Sequence, residues 1–211
     1  MGENCVVRIS QKAIIYDPSQ DKFLIARVAE HGPFYQKYGP WEFFGGRLNV
    51  GENFTEALER EIEEEAGDIR FSVGDLVANQ LIEIPNKAGT MFLGYLVIFQ
   101  GGEIELSHEH DKYVWESAEN IKNSTEYKPW LKEFIAAADK HVKNEQYLEG
   151  WKRCQADFEN FKKRQADSQK DLIRYSTQSI ILQILPVIDN FHASTDHIPE
   201  DQKNNPWVTG I

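Results

Sequence analysis

Cysteine is scarce in this sequence, since Cys5 and Cys154 are the only two among 211 residues. Two widely separated cysteines argue against a disulfide framework and favour a reducing compartment. The N-terminus lacks a basic region followed by an apolar stretch, which argues against a signal peptide. The longest apolar runs, around residues 91–99 and 180–188, are too short to span a bilayer. We therefore expect a cytoplasmic protein that has no membrane partner.

Basic residues are also in short supply. The formal net charge is −11, and nearly all of the acidic excess falls within residues 1–140. A negative domain repels the backbone of nucleic acids, so duplex nucleic acid is not an expected partner. Such a domain can still bind phosphates when divalent cations bridge the two negative groups.

The first 140 residues alternate between strand-like and helix-like patterns. Apolar runs bounded by turn residues predict strands, and amphipathic spacing predicts helices. The predicted strands cover residues 6–16, 22–28, 41–44, 69–77, 80–84, 91–99 and 113–115, and the predicted helices cover 54–66 and 129–141. This order predicts an α+β fold or an α/β/α sandwich for a first domain at residues 1–140.

The composition changes near residue 141. From there to residue 183 the chain has no proline and a single glycine, Gly150. Apolar residues recur at alternating spacings of four and three, a heptad pattern formed by Tyr147, Trp151, Cys154, Phe158 and Phe161. We therefore predict a second domain at residues 141–211, which is a long coiled-coil-like α-helix. The apolar stripe of this helix must pack against another surface. Our first hypothesis is the same stripe of a second copy in a homodimer, and our second is the first domain of the same chain.

The predicted helix at residues 54–66 has clear signals at both ends. Asn53 can cap its N-terminus, and Gly67 can end it with a left-handed residue. Its apolar residues recur every four positions, which predicts a buried stripe of Phe54, Leu58, Ile62 and Ala66.

Three of the carboxylates in this helix are predicted to lie close together. At about 100° per residue, Glu61, Glu64 and Glu65 share one sector of the helix surface. Like charges crowded on one face destabilise a helix, whereas clustered oxygen ligands suit hard cations such as Mg²⁺, or Mn²⁺ in its place. Two such ions can clamp a pyrophosphate and activate a water molecule, and Arg60 can orient a carboxylate.

The simpler alternative is an acidic helix face exposed to solvent. A solvated face does not require Arg60, Glu52 or the glycines at both ends to stand at fixed offsets. The whole stretch from Gly46 through Glu52 to Gly67 therefore favours the chemical interpretation.

This stretch resembles the Nudix box, whose pattern is G-x5-E-x7-R-E-aliphatic-x-E-E-x-G followed by an aliphatic residue. Gly46, Glu52, Arg60, Glu61 and the pair at 64–65 match it in order. The chain departs from the family at two positions, with Asp68 where an aliphatic residue is usual and Phe44 where proline is common. We expect Asp68 to alter packing rather than chemistry.

The resemblance implies an α/β/α sandwich with a mixed sheet, and hydrolysis of a nucleoside diphosphate linked to another group. It implies divalent metal, Mg²⁺ or Mn²⁺, bound by Glu61, Glu64 and Glu65. The implied catalytic residues are Glu61, Glu64 and Arg60, and the implied substrate-binding residues are Gly45, Gly46, Arg47 and Glu52. The partner is then a nucleotide-type small molecule.

A further acidic residue outside the box often completes such sites. Residues 107–115 resemble the corresponding late strand, and Glu109 is the candidate for a metal ligand or general base, with an exposed loop residue as the alternative. His108 and His110 are interpreted as loop residues, because hard cations prefer oxygen. Four aromatic residues can either stack on a base or belong to the core: Phe34, Tyr35, Tyr38 and Trp41.

The C-terminal residues resemble the helical part of GrpE, the nucleotide-exchange cochaperone of DnaK-type chaperones, at residues 147–165, 184–191 and 198–211. The resemblance implies a long helix that pairs in parallel with a second copy. In that family a β domain makes the main chaperone contact. The chain stops at Ile211, before such a domain, so we expect a dimerisation stalk or the remnant of a longer fusion.

The sequence therefore supports two alternative functions. The first is a Nudix-type pyrophosphohydrolase fused to a GrpE-like dimerisation helix. The second is a cochaperone or interaction protein for a DnaK-type chaperone, with a first domain that binds nucleotide without hydrolysing it.

Overall fold

The computed structural model describes residues 7–29, 39–82, 89–196 and 198–206. Its strands are β1 Arg8–Asp17, β2 Lys22–Val28, β3 Trp41–Glu42, β4 Arg70–Ile82, β5 Thr90–Gly101 and β6 His110–Glu116. Its helices are α1 Phe54–Ala66, α2 Ala118–Asn123 and α3 Pro129–Asp196. The chain divides into two compact units, Met1–Tyr147 and Leu148–Ile211.

The six strands form one mixed sheet. β1 pairs in parallel with β5, β5 pairs antiparallel with β4, and β2 pairs antiparallel with β6. β3 pairs with β2, and the residues after β3 form bridges to β1 at Phe44 and Arg47. Residues 41–47 are therefore bonded to β2 at their start and to β1 at their end.

Helices cover both faces of the sheet because successive side chains of a strand point to opposite sides. In β1, Ala13 and Ile15 pack with α1, whereas Ile14 and Tyr16 pack with α2 and the first turns of α3. The first unit is thus an α/β/α sandwich with a mixed sheet, as predicted.

β4 differs from the prediction, since one strand replaces the two expected at 69–77 and 80–84. Its pairing with β5 continues through register shifts between Val73 and Leu76 and between Leu76 and Ala78. These bulges interrupt the apolar alternation in the sequence without ending the strand. Residues 83 and 84 lie outside the described part of the chain.

α3 also differs from the prediction, because the helix expected at 129–141 and the long helix expected after it form one helix, which runs through Pro186 and ends at Asp196. An interior proline removes one helical hydrogen bond but does not end this helix. Large apolar side chains from Tyr147 to Phe191 are exposed along it. Among the described residues, no helix combines the length and apolarity that crossing a membrane requires.

Leu131 tests the packing of α3 in the first unit, where it is fully buried among aromatic residues. Leu131→Ala is expected to lower the free energy of unfolding by about 2–5 kcal/mol, because the cavity cannot refill. The control is Leu81 on β4, which is 46% exposed. Leu81→Ala should change the free energy of unfolding by less than about 1 kcal/mol. Urea unfolding followed by tryptophan fluorescence measures both, and equal losses would contradict this packing.

Candidate active site

α1 is held at both ends by the signals that the sequence predicts. The Asn53 side chain accepts a hydrogen bond from the Thr55 N–H at 2.9 Å, and Gly67 has a φ of +78°. The buried face consists of Ala57, Leu58, Ile62, Glu65 and Ala66. The prediction that Phe54 belongs to it is wrong, because Phe54 lies in the first turn and is 42% exposed.

The predicted metal sector consists of Glu61, Glu64 and Glu65, and these three carboxylates differ in their exposure to solvent. Glu65 is buried, the Glu61 side chain is 17% exposed, and the Glu64 side chain is 59% exposed. The sector therefore runs from the protein interior to solvent. Such a gradient allows one side of an ion or phosphate to be held by the protein while the other side stays accessible.

Arg60 lies among the acidic residues of this sector. Its Nη1 lies 2.9 Å from Glu61 Oε1 and 3.3 Å from Glu64 Oε2, and its Nη2 lies 3.4 Å from Glu52 Oε1. The hydrogen bond from Arg60 to Glu61 is the main reason that the pKa of Arg60 is raised. Three carboxylates thus converge on the one positive charge of Arg60.

Glu52 is additionally fixed by the turn before α1. The backbone N–H of Asn49 donates to Glu52 Oε2 at 2.9 Å. That hydrogen bond, with a further contribution from Arg60, lowers the pKa of Glu52. The carboxylate is therefore oriented toward Arg60 from the loop side.

Two glycines bring the preceding loop against α1. The Gly45 N–H donates to Glu65 Oε2 at 2.7 Å, and Gly45 has a φ of +125°, where a Cβ would collide with the Gln11 carbonyl. A Cβ on Gly46 would occupy the position of the Glu61 carboxylate. Both positions require glycine for these contacts to exist.

Glu65 has an unusual protonation equilibrium. Burial raises its pKa to about 7, although Lys12 and the Gly45 N–H both act in the opposite direction. A buried carboxyl favours its neutral form until a cation or hydrogen bonds compensate its charge. Glu65 therefore changes charge near neutral pH in the protein alone.

A buried polar network lies beside this loop, and the sequence reasoning missed it. Lys12 Nζ lies 3.0 Å from Glu42 Oε2, and Glu42 Oε1 lies 3.3 Å from His110 Nε2. Burial alone would raise the pKa of Glu42, but Lys12 and His110 lower it to about 2. Burial would likewise lower the pKa of Lys12, yet Glu42, Glu65 and Glu61 keep it raised.

His110 differs from its prediction as a loop residue, because it begins β6 and is buried. Its ring and that of Phe44 form a T-shaped contact, with ring centroids 5.1 Å apart and an interplanar angle of 88°. Phe44 thus packs in the core where the family pattern commonly has proline. Asp68, the other departure, is exposed, and the next residue, Ile69, is buried instead.

The loop that carries Glu109 is attached to the end of α1. The Glu105 N–H donates to the Ala66 carbonyl at 3.0 Å, and the Ser107 N–H donates to the Glu65 carbonyl at 3.1 Å. Glu109 follows two residues later and is exposed. Its role as a ligand or base remains a prediction that this attachment supports.

The remaining predicted binding residues are less informative. Arg47 is exposed and forms a backbone bridge with Ser10. Trp41 is buried against Tyr127, with ring centroids 5.8 Å apart, which favours the core interpretation over base stacking. Phe34, Tyr35 and Tyr38 lie outside the described residues.

Comparison with protein families separates two regions of the chain. Residues 7–138 match the family model described as NUDIX domain, and residues 112–211 match the model described as GrpE. The two matches overlap over residues 112–138, which contain α2 and the start of α3.

Curated relatives fall into the same two groups. CTP pyrophosphohydrolase of Escherichia coli K12 is 36% identical over 81 residues, which cover 38% of this chain and 58% of that protein. Protein GrpE of Alkaliphilus oremlandii is 32% identical over 74 residues, which cover 35% of this chain and 40% of that protein. The chain therefore spans less than two thirds of the length of either relative.

A solved structure supports the fold of the first unit. The MutT protein of Methanosarcina mazei Go1 superposes with a TM-score of 0.57 at 24% identity, covering 67% of this chain and 99% of that chain.

The raised pKa of Glu65 gives a testable dependence of stability on pH. Folded Glu65 titrates near pH 7 and an unperturbed glutamate near 4.5, so the unfolded chain loses its proton first. The free energy of unfolding therefore falls as the pH rises from 4.5 to 7 and is not affected further above that. Glu65→Gln removes this loss and keeps an oxygen for the Gly45 N–H. We expect it to be more stable than the unmodified protein by on the order of 3 kcal/mol at pH 8.

The measurement is urea unfolding in EDTA across this pH range. The advantage of Glu65→Gln should disappear toward pH 4.5, whereas Glu63→Gln, at an exposed position of the same helix, should give no such trend. An advantage that grows toward acidic pH would contradict the sign of the shift.

Proposed function

The chain belongs to the NUDIX family through residues 7–138, and we propose on this premise that its first domain, residues 1–140, is a metal-dependent pyrophosphohydrolase. The reaction is cleavage of the pyrophosphate bond in a nucleoside diphosphate linked to another moiety. The observation that carries the proposal is the convergence of Glu52, Glu61 and Glu64 on Arg60, beside a Glu65 held by the Gly45 N–H.

The chemistry of these side chains fits a hard divalent cation. Glu61, Glu64 and Glu65 would each offer carboxylate oxygens to the metal, and these are the ligands that Mg²⁺ and Mn²⁺ prefer. The Glu61 carboxylate fills the space left by Gly46, and this close packing of loop against helix supports Glu61 as an oxygen ligand. When bound, the cation neutralises phosphate charge and activates water for attack at phosphorus.

We assign metal binding, positioning, phosphate binding and proton transfer to separate residues of this chain. Glu61, Glu64 and Glu65 bind the metal, and Arg60 holds Glu61 and Glu52 in place. Gly45, Gly46, Arg47 and Glu52 form the loop that the phosphates approach, and Glu109 is the candidate general base or additional ligand.

The substrate class is a nucleotide derivative with a phosphoanhydride bond. One relative is named a CTP pyrophosphohydrolase, so CTP belongs in the first test panel, with other nucleoside triphosphates, dinucleoside polyphosphates, sugar nucleotides and capped RNA. With CTP, identifying the products by anion-exchange chromatography distinguishes cleavage between the α and β phosphates, which gives CMP and pyrophosphate, from cleavage between the β and γ phosphates, which gives CDP and phosphate.

The second domain, residues 141–211, is proposed to be a GrpE-like dimerisation helix in a cytoplasmic protein. Its support is the GrpE match and the row of exposed apolar side chains at heptad spacing, Tyr147, Trp151, Phe158 and Phe161. A helix with such a stripe lowers its free energy by pairing with an identical stripe.

The GrpE match also favours a second candidate function, binding to a DnaK-type chaperone. In this alternative the first domain binds nucleotide but does not hydrolyse it. Stimulated ADP release from such a chaperone, without hydrolysis of any nucleotide in the panel, would support the cochaperone and contradict the enzyme.

Glu64→Gln tests the metal site. We expect Mg²⁺-dependent hydrolysis to fall by about 10²-fold or more, because a carboxylate ligand becomes a neutral amide. Glu63→Gln is the matched control, since it makes the same change one residue earlier at an exposed position outside the metal sector. Initial rates of phosphate or pyrophosphate release measure both variants, and equal rates would remove Glu64 from the site.

Trp151→Asp combined with Phe158→Asp tests the dimerisation helix. The unmodified chain is expected to be a dimer, and the double variant a monomer, because two charges then face each other across the stripe. Ala156→Asp places a charge off the stripe and should leave the dimer intact. Light scattering of the full chain gives the masses, and an unmodified chain that is monomeric at micromolar concentration would contradict the proposal.

A further inference from the structure

Lys12 is a buried charge in the middle of β1. It is 5% exposed, and its ammonium group contacts three acceptors that lie close together in the chain. Nζ donates to Glu42 Oε2 at 3.0 Å, to the Phe43 carbonyl at 3.1 Å and to the Gly45 carbonyl at 3.3 Å. An ammonium group has three N–H donors, so each donor has one acceptor.

The segment that Lys12 holds is the one that meets the metal-binding helix. Gly45 accepts from Lys12 through its carbonyl and donates to Glu65 through its N–H. The next residue, Gly46, is anchored to β1 by the Gln11 N–H at 2.8 Å and leaves the space that the Glu61 carboxylate fills. The orientation of two carboxylates therefore depends on the backbone conformation at positions 45 and 46.

We propose that Lys12 is a positioning residue of the hydrolase, which fixes the Gly45–Gly46 turn so that Glu61 and Glu65 are set for divalent metal. This inference rests on the proposed function. Lys12 acts through the turn, and a group that orients metal ligands in this way typically changes metal affinity or activity 10–100-fold when it is removed.

The charge of Lys12 has to be separated from its hydrogen bonds in any test. Loss of a nearby cation strengthens binding of Mn²⁺, whereas loss of the turn geometry weakens it. Glu42 provides the means, because it is the carboxylate paired with Lys12. The double variant Lys12→Met, Glu42→Gln has the same net charge as the unmodified protein, and it removes all three hydrogen bonds from Lys12.

The experiment measures Mn²⁺ binding by electron paramagnetic resonance in the full chain without nucleotide, and then kcat and KM with Mg²⁺. In the double variant we expect the Kd for Mn²⁺ to rise about tenfold and kcat to fall at least as much, with KM for the nucleotide changed far less. Glu42→Gln alone retains the Lys12 hydrogen bonds to the turn and an oxygen acceptor but removes one negative charge, so its Kd for Mn²⁺ should rise by a smaller factor than that of the double variant.

Leu131→Ala is the control for stability. It lies in the cluster on the opposite face of the sheet from α1, and it should lower the Tm without changing the Kd for Mn²⁺. The double variant Lys12→Gln, Glu42→Gln, which retains two N–H donors on a shorter side chain and the same net charge, is the second variant if Lys12→Met, Glu42→Gln is unfolded at the assay temperature. It should also weaken Mn²⁺ binding, by a smaller factor.

Two failures are distinguishable. If the variants at position 12 bind Mn²⁺ and turn over substrate as the unmodified protein does, the role of Lys12 is wrong and the hydrolase proposal stands. If the unmodified protein binds no Mn²⁺ and hydrolyses no nucleotide, the proposed function itself is wrong.

Discussion

The candidate site depends on one buried hydrogen bond, donated by the Gly45 N–H to Glu65. A carboxylate inside a protein is unfavourable unless hydrogen bonds or opposite charges compensate the loss of water. Here a backbone amide from the loop supplies one bond and Lys12 supplies charge, which leaves the pKa of Glu65 near 7 rather than higher. The loop, the first strand and the acidic helix are thereby joined at a single carboxylate.

This arrangement explains why the loop requires both glycines. Gly45 needs a positive φ to aim its N–H at Glu65 while its carbonyl faces Lys12. Gly46 needs to have no side chain because the Glu61 carboxylate occupies that space. Arg60 then contacts the more exposed carboxylates of Glu61 and Glu64. Backbone geometry and charge thus meet at Glu61, which fills the space at Gly46 and also contacts Arg60.

Much of this was predictable from local patterns, because caps, glycines and helical spacing act over a few residues. Asn53, Gly67 and the shared sector of Glu61, Glu64 and Glu65 are examples. The Lys12–Glu42–His110 network was not, since its members are far apart in sequence and meet only when β1, β3 and β6 join one sheet. A lysine in the middle of a buried strand was the signal available. The end of α3 at Asp196 was not predictable in the same way, because Pro186 lies inside the helix and proline weakens a helix without always ending it.

β4 forms one edge of the sheet, and β5 is its partner within the described residues. A regular edge strand offers an unbroken row of amide and carbonyl groups to any foreign strand, which is a common route to aggregation. The two register shifts near Leu76 break the regular spacing of that row, and Asp75 adds a charge beside them. The same irregularity that made β4 look like two strands therefore makes this edge a less regular template for edge-to-edge pairing.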